Sequence, residues 1–241
     1  MKTIAVPVNF SNNSSNAARY AADLALSIQG RIHLIYVLEP PAGAAEIPLP
    51  NYAFEEMQRS GEIMLSALTN ELVTRTKGQV YITTTMEIGG VEKTLEEVCK
   101  QINPFMVVMG ASGHTFENAV YGSSTVRAMR SLPFPILIIP EKVKFQEVKK
   151  IVLACEDEDI LAGLPVSHPF LKELTDNFGN GYEVLNIHTK SISEGINQYL
   201  GENPTDWLIV FPKKHSFFEF HNSQSKKIAR NCPVPVMSIH Q

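Results

Sequence analysis

The stretch "RSLPFPILII", from Arg130 to Ile139, decides the fold, because a closely similar stretch, "RNCPVPVMSI", returns from Arg230 to Ile239. Both stretches place two prolines, one residue apart, before a short apolar strand, and their residue numbers differ by one hundred. Similarity at a fixed spacing is the signature of a repeated structural unit. The sequence therefore predicts two related halves that each end in the same kind of strand.

The earlier parts of the two halves match in the same order. In chain order, "KTIAVPV" (2–8) returns as "KKIVLAC" (149–155), "RIHLIYVL" (31–38) as "GYEVLNIH" (181–188), and "NPFMVVMG" (103–110) as "PTDWLIVFP" (204–212). We expect one domain over residues 1–142 and a second over residues 147–241. The charged linker "EKVKFQEVKK" contains no run of Gly, Ser or Pro, so we expect the two domains to pack closely.

Each half alternates short apolar runs with helical patterns. In the first half the order is βαβαβαβαβ, which is typical of an open parallel sheet with helices on both faces. In the second half no room remains between "EVLNIH" and "SEGINQYL" for a long helix and a middle strand. The sequence thus predicts an α/β fold of two Rossmann-like domains, with about five strands in the first and about four in the second.

The long helix of the first half shows an apolar stripe at helical spacing. The residues predicted to face inward are Phe54, Met57, Met64, Leu68 and Leu72, and Gly78 marks the end of the helix. The stretch that follows, "QVYITTTME", is β-rich and forms the predicted middle strand.

Composition argues against several classes of function. The 241 residues are 44% apolar with a net charge of −4, and these totals indicate no basic face for a nucleic-acid backbone. No apolar run approaches the ~18 residues of a membrane span, and the first residues lack the pattern of a signal peptide. The three cysteines are far apart and odd in number, which is typical of reduced structural thiols. We expect a cytoplasmic protein with neither nucleic-acid nor membrane partners.

A glycine-rich stretch, "GASGHTFENAVYGSST" (110–125), follows the apolar run "PFMVVM". Glycines let backbone N–H groups approach phosphate oxygens, and Gly122, Ser123 and Ser124 precede a predicted helix whose N-terminus favours an anion. If strands one and four are central, their carboxyl ends meet at the position where open parallel sheets bind ligands. The same residues also suit a plain turn between a strand and a helix, and both interpretations remain open.

The chain resembles a tandem universal stress protein whose second domain is shortened and degenerate. Three features carry the resemblance: "IAVPVNFS" in the first strand, "IHLIYV" in the second, and Gly110-x-x-Gly113 leading to Gly122-Ser123. It implies adenine nucleotide α-hydrolase-like domains packed as a pseudo-dimer, and a site for ATP or another adenine nucleotide, with Mg²⁺. By this resemblance, the adenosine end is lined by Pro7, Val8, Asn9 and Val37, the ribose and α-phosphate by Met109, Gly110 and Gly113, and the outer phosphates by Gly122, Ser123 and Ser124.

Two departures from the family pattern keep a second function open. Eight residues separate Gly113 from Gly122 where nucleotide-binding members have nine. Asn9 stands where those members usually have Asp, which keeps an acceptor for a ribose hydroxyl but removes a charge that supports a metal. The first hypothesis is a stress-response protein that binds nucleotide in its first domain. The second is an interaction protein of the same fold that acts without nucleotide, through its surface or dimer faces.

The remaining expectations concern the second half, catalysis and partners. Pro212 replaces the first glycine in the second half and no glycine follows before Asn222, so we expect no second nucleotide site. No nucleophile, general base or metal-ligand spacing stands out, so we expect no enzyme, at most very slow ATP hydrolysis, and no metal bound by side chains. The expected partners are the nucleotide, an unknown protein, and the chain itself, as a pseudo-dimer within one chain and as a homodimer.

Overall fold

The computed structural model describes residues 1–40, 51–111, 128, 132–155, 169–179, 181–186, 192–211 and 232–239. Its strands are β1 (Thr3–Val8), β2 (Arg31–Leu38), β3 (Tyr81–Ile88), β4 (Met106–Gly110), β5 (Ile136–Ile139), β6 (Ile151–Cys155), β7 (Tyr182–Asn186), β8 (Trp207–Val210) and β9 (Val236–Ser238). Its helices are α1 (Asn12–Ser27), α2 (Asn51–Arg75), α3 (Val91–Ile102), α4 (Pro169–Phe178) and α5 (Ile192–Glu202).

The strands form one nine-stranded sheet in the order β3-β2-β1-β4-β5-β9-β8-β6-β7. Neighbouring strands are parallel throughout, except that β5 and β9 pair antiparallel. The order β2-β1-β4-β5 in the first half is repeated as β7-β6-β8-β9 in the second. The first half adds β3, so the predicted α/β fold with five strands and then four is confirmed.

At the junction between β5 and β9, the antiparallel register is that of two strands related by a two-fold axis. Leu137 lies opposite Met237, Ile136 opposite Ser238, and Ile138 opposite Val236. Because the two matching stretches are offset by one hundred residues, Met237 is the counterpart of Leu137 in the repeat, and these two residues face each other. The residue on either side of Leu137 faces the counterpart of its neighbour on the other side, as two-fold symmetry requires. An apolar edge strand that would otherwise be open to another chain is thereby paired within the chain.

The two faces of the sheet are packed differently. On one face, a shared core runs across both halves and includes Val6, Leu72, Leu137, Trp207 and Met237. On the other face, each half has its own cluster, with α3 covering the first and α5 the second. Among the residues that the structure describes, the shared core is therefore the cluster that joins the two halves by side-chain burial.

A buried polar contact also crosses between the halves. The indole Nε1 of Trp207 donates a hydrogen bond of 2.7 Å to the hydroxyl of Tyr20 on α1. The ring of Trp207 packs edge-on against Phe178 of α4, with 4.9 Å between centroids. At the surface, Lys2 forms an ion pair of 3.2 Å with Glu173. These contacts orient α1 and α4 on the shared-core face.

The inward stripe of α2 agrees with the predicted one only in part, since Phe54 and Met57 are half-buried. Leu65, Leu68 and Leu72 are buried, whereas Met64 is exposed. Since successive residues of a helix are 100° apart, only one of two adjacent apolar residues can point directly at the sheet. In α2 the residue that points at the sheet is Leu65.

None of the helices in the described ranges is long and apolar enough to span a bilayer.

Candidate functional site

The carboxyl ends of β1 and β4 lie side by side in the middle of the first half. Ile4 pairs with Met106 and Ala5 with Val107. From β1 the chain moves outward to β2 and β3, whereas from β4 it moves the other way, to β5. Open parallel sheets bind ligands at such a reversal of strand order. The expected adjacency of these two strand ends is confirmed.

Three of the candidate residues share one face of the sheet at this edge. Val37 and Met109 pack with the cluster beneath α3, and Pro7 follows on the same face two residues after Ala5. The last pair between β1 and β2 joins Val8 to Tyr36, so Val37 extends one residue past β1. We call Pro7, Val37 and Met109 the apolar ledge. Val8 is buried on the opposite face in the shared core, so only its backbone borders this edge.

Asn9 is exposed at the end of β1, and its side chain is engaged by the start of α1. Its Oδ1 accepts hydrogen bonds from the backbone N–H of Ser11 at 3.2 Å and from the Ser11 hydroxyl at 2.7 Å. An amide oxygen has two lone pairs, and both are used here. The acceptor expected for a ribose hydroxyl is therefore already occupied. The Nδ2 group is the part of Asn9 that could meet a ligand.

Gly110 has a packing role that the sequence did not indicate. A Cβ atom at this position would lie 2.5 Å from the backbone oxygen of Asn13 in α1. The side chain of Asn13 also donates a hydrogen bond of 2.7 Å to the carbonyl of Ala111. Together these contacts hold the N-terminal turn of α1 against the start of the glycine-rich stretch. Asn13 is thus a residue of the site that sequence reasoning missed, since no local pattern links it to Ala111.

Substituting Gly110 by alanine is expected to lower the free energy of unfolding by about 1–3 kcal/mol, because the new methyl group meets backbone rather than a movable side chain. Urea unfolding followed by circular dichroism measures the change. Gly201→Ala is the matched control, since nothing lies within 4 Å of a Cβ there and alanine suits α5. Equal stability of the two variants would contradict the assigned contact between Gly110 and Asn13.

Phe10 is a second residue that sequence reasoning missed. It follows Asn9 directly and has a φ of 61°, in the left-handed region that bulky residues rarely adopt. Its ring packs on that of Tyr36, with 4.7 Å between centroids, which fixes the exit of β1. Such strained backbone often accompanies functional sites.

Four of the candidate residues lie outside the described residues. They are the candidates for binding phosphate: Gly113, Gly122, Ser123 and Ser124.

The sequence profile of the universal stress protein family matches residues 1–140, more than half of the chain. The chain belongs to the universal stress protein family. No curated protein matches it.

Two solved structures share the fold of the whole chain. A universal stress protein from Archaeoglobus fulgidus DSM 4304 is 16% identical, with a TM-score of 0.70 over 99% of this chain and 98% of its own. A functionally unknown protein from Pseudomonas aeruginosa PAO1 is 11% identical, with a TM-score of 0.53 over 100% of this chain and 92% of its own. A universal stress protein in complex with cAMP is 18% identical, with a TM-score of 0.44 over 57% of this chain and 96% of its own.

In this universal stress protein, the second half carries a bulky residue where the first has glycine. Met109 pairs with Ile138 and Val210 with Ser238, so the register places Phe211 at the position of Gly110. The sequence comparison had placed Pro212 there, which is wrong by one residue because apolar strands align equally well with a shift. Phe211 packs against the shared core. It occupies the face on which α1 approaches Gly110 in the first half.

Cys99 and Cys232 are buried thiols of low reactivity. Burial raises the pKa of the Cys99 thiol to about 12. Burial, opposed by a hydrogen bond from the backbone at Val234, raises the pKa of Cys232 to about 11. Both thiols therefore stay protonated at neutral pH, whereas the thiolate is the nucleophilic form.

Among the described residues, no three His, Cys, Asp or Glu side chains converge as metal ligands would.

Proposed function

We propose that this chain is a cytoplasmic stress-response protein that binds ATP or a related adenine nucleotide in its first half. The observation that supports this most is the apolar ledge of Pro7, Val37 and Met109, which lies where strand order reverses. A planar base needs apolar surface and a few polar groups at its rim, and this edge offers both. Membership of the universal stress protein family supports the same function.

Each candidate residue has a definite role in the proposal. The ledge holds the base and ribose, and the Nδ2 group of Asn9 donates to the sugar. Gly113, Gly122, Ser123 and Ser124 receive the phosphates through backbone N–H groups and hydroxyls. Because both lone pairs of the Asn9 oxygen are used by Ser11, a Mg²⁺ ion would be held through the phosphates rather than through Asn9.

The second half has a structural role in this proposal. We assign residues 1–142 and 147–241 to two domains that form a pseudo-dimer, with the one nucleotide site in the first domain. Phe211 supports this assignment, because its side chain stands where the first half needs glycine for α1 to approach. The glycine-rich stretch offers no arginine to stabilise a transferring phosphate, so ATP hydrolysis is at most very slow and the protein is no enzyme.

Millimolar ATP is expected to raise the melting temperature of the protein. Ligand at ~100 times its Kd adds about 2.7 kcal/mol to the free energy of unfolding. Gly113→Val should remove the shift, because a branched side chain blocks close approach of the backbone to phosphate. Gly201→Val, in open space on α5, is the matched control and should keep it. Differential scanning fluorimetry with and without Mg²⁺ measures the shift, and phosphate release in the same samples reports hydrolysis.

No shift with any adenine nucleotide would favour the interaction protein without nucleotide. A folded Gly113→Val protein that still binds ATP normally would rule out the assigned phosphate loop while leaving the ledge in place.

A further inference from the structure

The edges of the sheet determine how a second copy of this chain could extend it. The outer edge of β5 is paired with β9 inside the chain, so it is closed to another molecule. In the part of the chain that the structure describes, the sheet ends at β3 on one side and at β7 on the other. Edge strands present unpaired N–H and C=O groups that can accept a further strand.

β3 lacks the features that normally protect an edge strand. Its eight residues, "YITTTMEI", contain no proline and no lysine, and Glu87 is the one charged residue among them. All eight pair with β2 in an unbroken register, so no bulge turns the edge away. Tyr81 is 62% exposed and Ile88 45% exposed. Natural edge strands are usually short, charged, interrupted or covered, and β3 is long, nearly uncharged and continuous.

We propose that two copies of this chain associate through β3, paired antiparallel about a two-fold axis at Thr84. This register sets Ile82 opposite Met86 and Thr83 opposite Thr85, each pair on one face of the sheet. It also sets Tyr81 opposite Glu87, so the one carboxylate of each strand meets a phenol hydroxyl rather than its own copy. Apolar pairs, threonine pairs and a phenol hydroxyl that donates to a carboxylate each stabilise paired antiparallel strands.

The other free edge fits a second copy less well. β7 has five residues, and two-fold pairing about Val184 would set Glu183 against Leu185. Glu183 already forms an ion pair of 2.9 Å with Lys150 and accepts a hydrogen bond of 2.6 Å from the hydroxyl of Tyr199. Pairing of β3 with β7 of another copy would leave one edge open at each end and form a filament, whereas β3 with β3 closes as a dimer.

The test uses the full chain and does not depend on nucleotide binding. Sedimentation equilibrium at 1–100 µM, a range set by the ~µM affinity of modest interfaces, is expected to show a dimer. Thr84→Lys places two ammonium groups face to face on the axis and should weaken the dimer at least about tenfold. Thr84 is exposed, so circular dichroism and melting temperature should stay close to those of the parent chain. The matched control is Val184→Lys on β7, which should leave the dimer intact.

The register has its own test. Thr84→Cys should be cross-linked between copies by a short bis-thiol reagent, whereas Val184→Cys and the parent chain, with its three cysteines, should not. A monomeric parent chain at 100 µM, a dimer that survives Thr84→Lys, or one that dissociates with Val184→Lys would each overturn the proposal. A dimer that dissociates with Thr84→Lys but shows no cross-link at Thr84→Cys would keep β3 as the interface and overturn the register.

Discussion

Cutting the chain after Lys142 is expected to give a first half that homodimerises or aggregates instead of remaining monomeric. The cut removes β9, which pairs with β5 through Ile136, Leu137 and Ile138. All four residues of β5 are fully buried in the intact chain. The cut also uncovers the part of the shared core that α4 and β8 bury. An exposed apolar edge strand readily pairs with another chain.

The intact junction predicts the register of that artificial dimer. Because Leu137 faces Met237 on the two-fold axis, Leu137 should face itself in the dimer and Ile136 should face Ile138. Ile138→Lys would then place a lysine in an apolar pair twice per dimer and should give a monomer. Thr84→Lys is included in every fragment, so that pairing through β3 cannot contribute.

Light scattering coupled to size-exclusion chromatography measures the mass of each fragment. A first half that stays a stable, soluble monomer would show that β9 is not needed to cover β5, and the pseudo-dimer arrangement would be wrong.

Replacing Trp207 by alanine is expected to lower the free energy of unfolding by about 3–5 kcal/mol, because the side chain is fully buried and large. The substitution opens a cavity in the shared core, beside Phe178 of α4. It also leaves the Tyr20 hydroxyl without its hydrogen-bond donor. Trp207 is the only tryptophan in the chain, so its loss removes the usual fluorescence signal and unfolding in urea is followed by circular dichroism.

A double-mutant cycle separates the hydrogen bond from the packing. Trp207→Phe alone leaves the buried hydroxyl of Tyr20 unpaired, which costs about 1–3 kcal/mol. Tyr20→Phe removes that hydroxyl, so the double variant should be more stable than the sum of the two single changes predicts. Strict additivity would contradict a direct bond between the halves. Burial raises the pKa of Tyr20, which keeps the hydroxyl protonated and the contact independent of pH near neutrality.

The regular elements of this protein could be predicted because their signals are local. Apolar runs of β-branched residues mark β1, β2 and β4, and Ser11 caps α1 with its side chain on the Ser14 N–H. Among the described residues the second half has no counterpart of β3, and chain length alone predicts this difference. Central position in a parallel sheet then brings the ends of β1 and β4 together. The resemblance to universal stress proteins, rather than this geometry, predicted Pro7, Val37 and Met109 as residues of that edge.

The errors arose where a pattern was compatible with two nearby registers. Met64 and Leu65 are adjacent apolar residues, and only packing on the sheet shows that Leu65 faces inward. Pro212 and Phe211 follow a strand that is apolar at every position, so the alignment with Gly110 could shift by one residue. Hydrogen bonding between β8 and β9 removes that freedom.

By itself, the sequence determined the α/β class, the number of strands in each half and the neighbouring position of the ends of β1 and β4. All of these depend on periodicity, length and order along one chain. Only the tertiary structure decided three contacts. The Asn9 side-chain oxygen accepts a hydrogen bond from Ser11, Gly110 leaves room for the backbone of Asn13, and Trp207 donates a hydrogen bond to Tyr20 in the other half. Asn13 lies 98 residues from Ala111 and Tyr20 lies 187 from Trp207. Contacts at such separations depend on how the helices pack on the sheet, and no local sequence pattern predicts them.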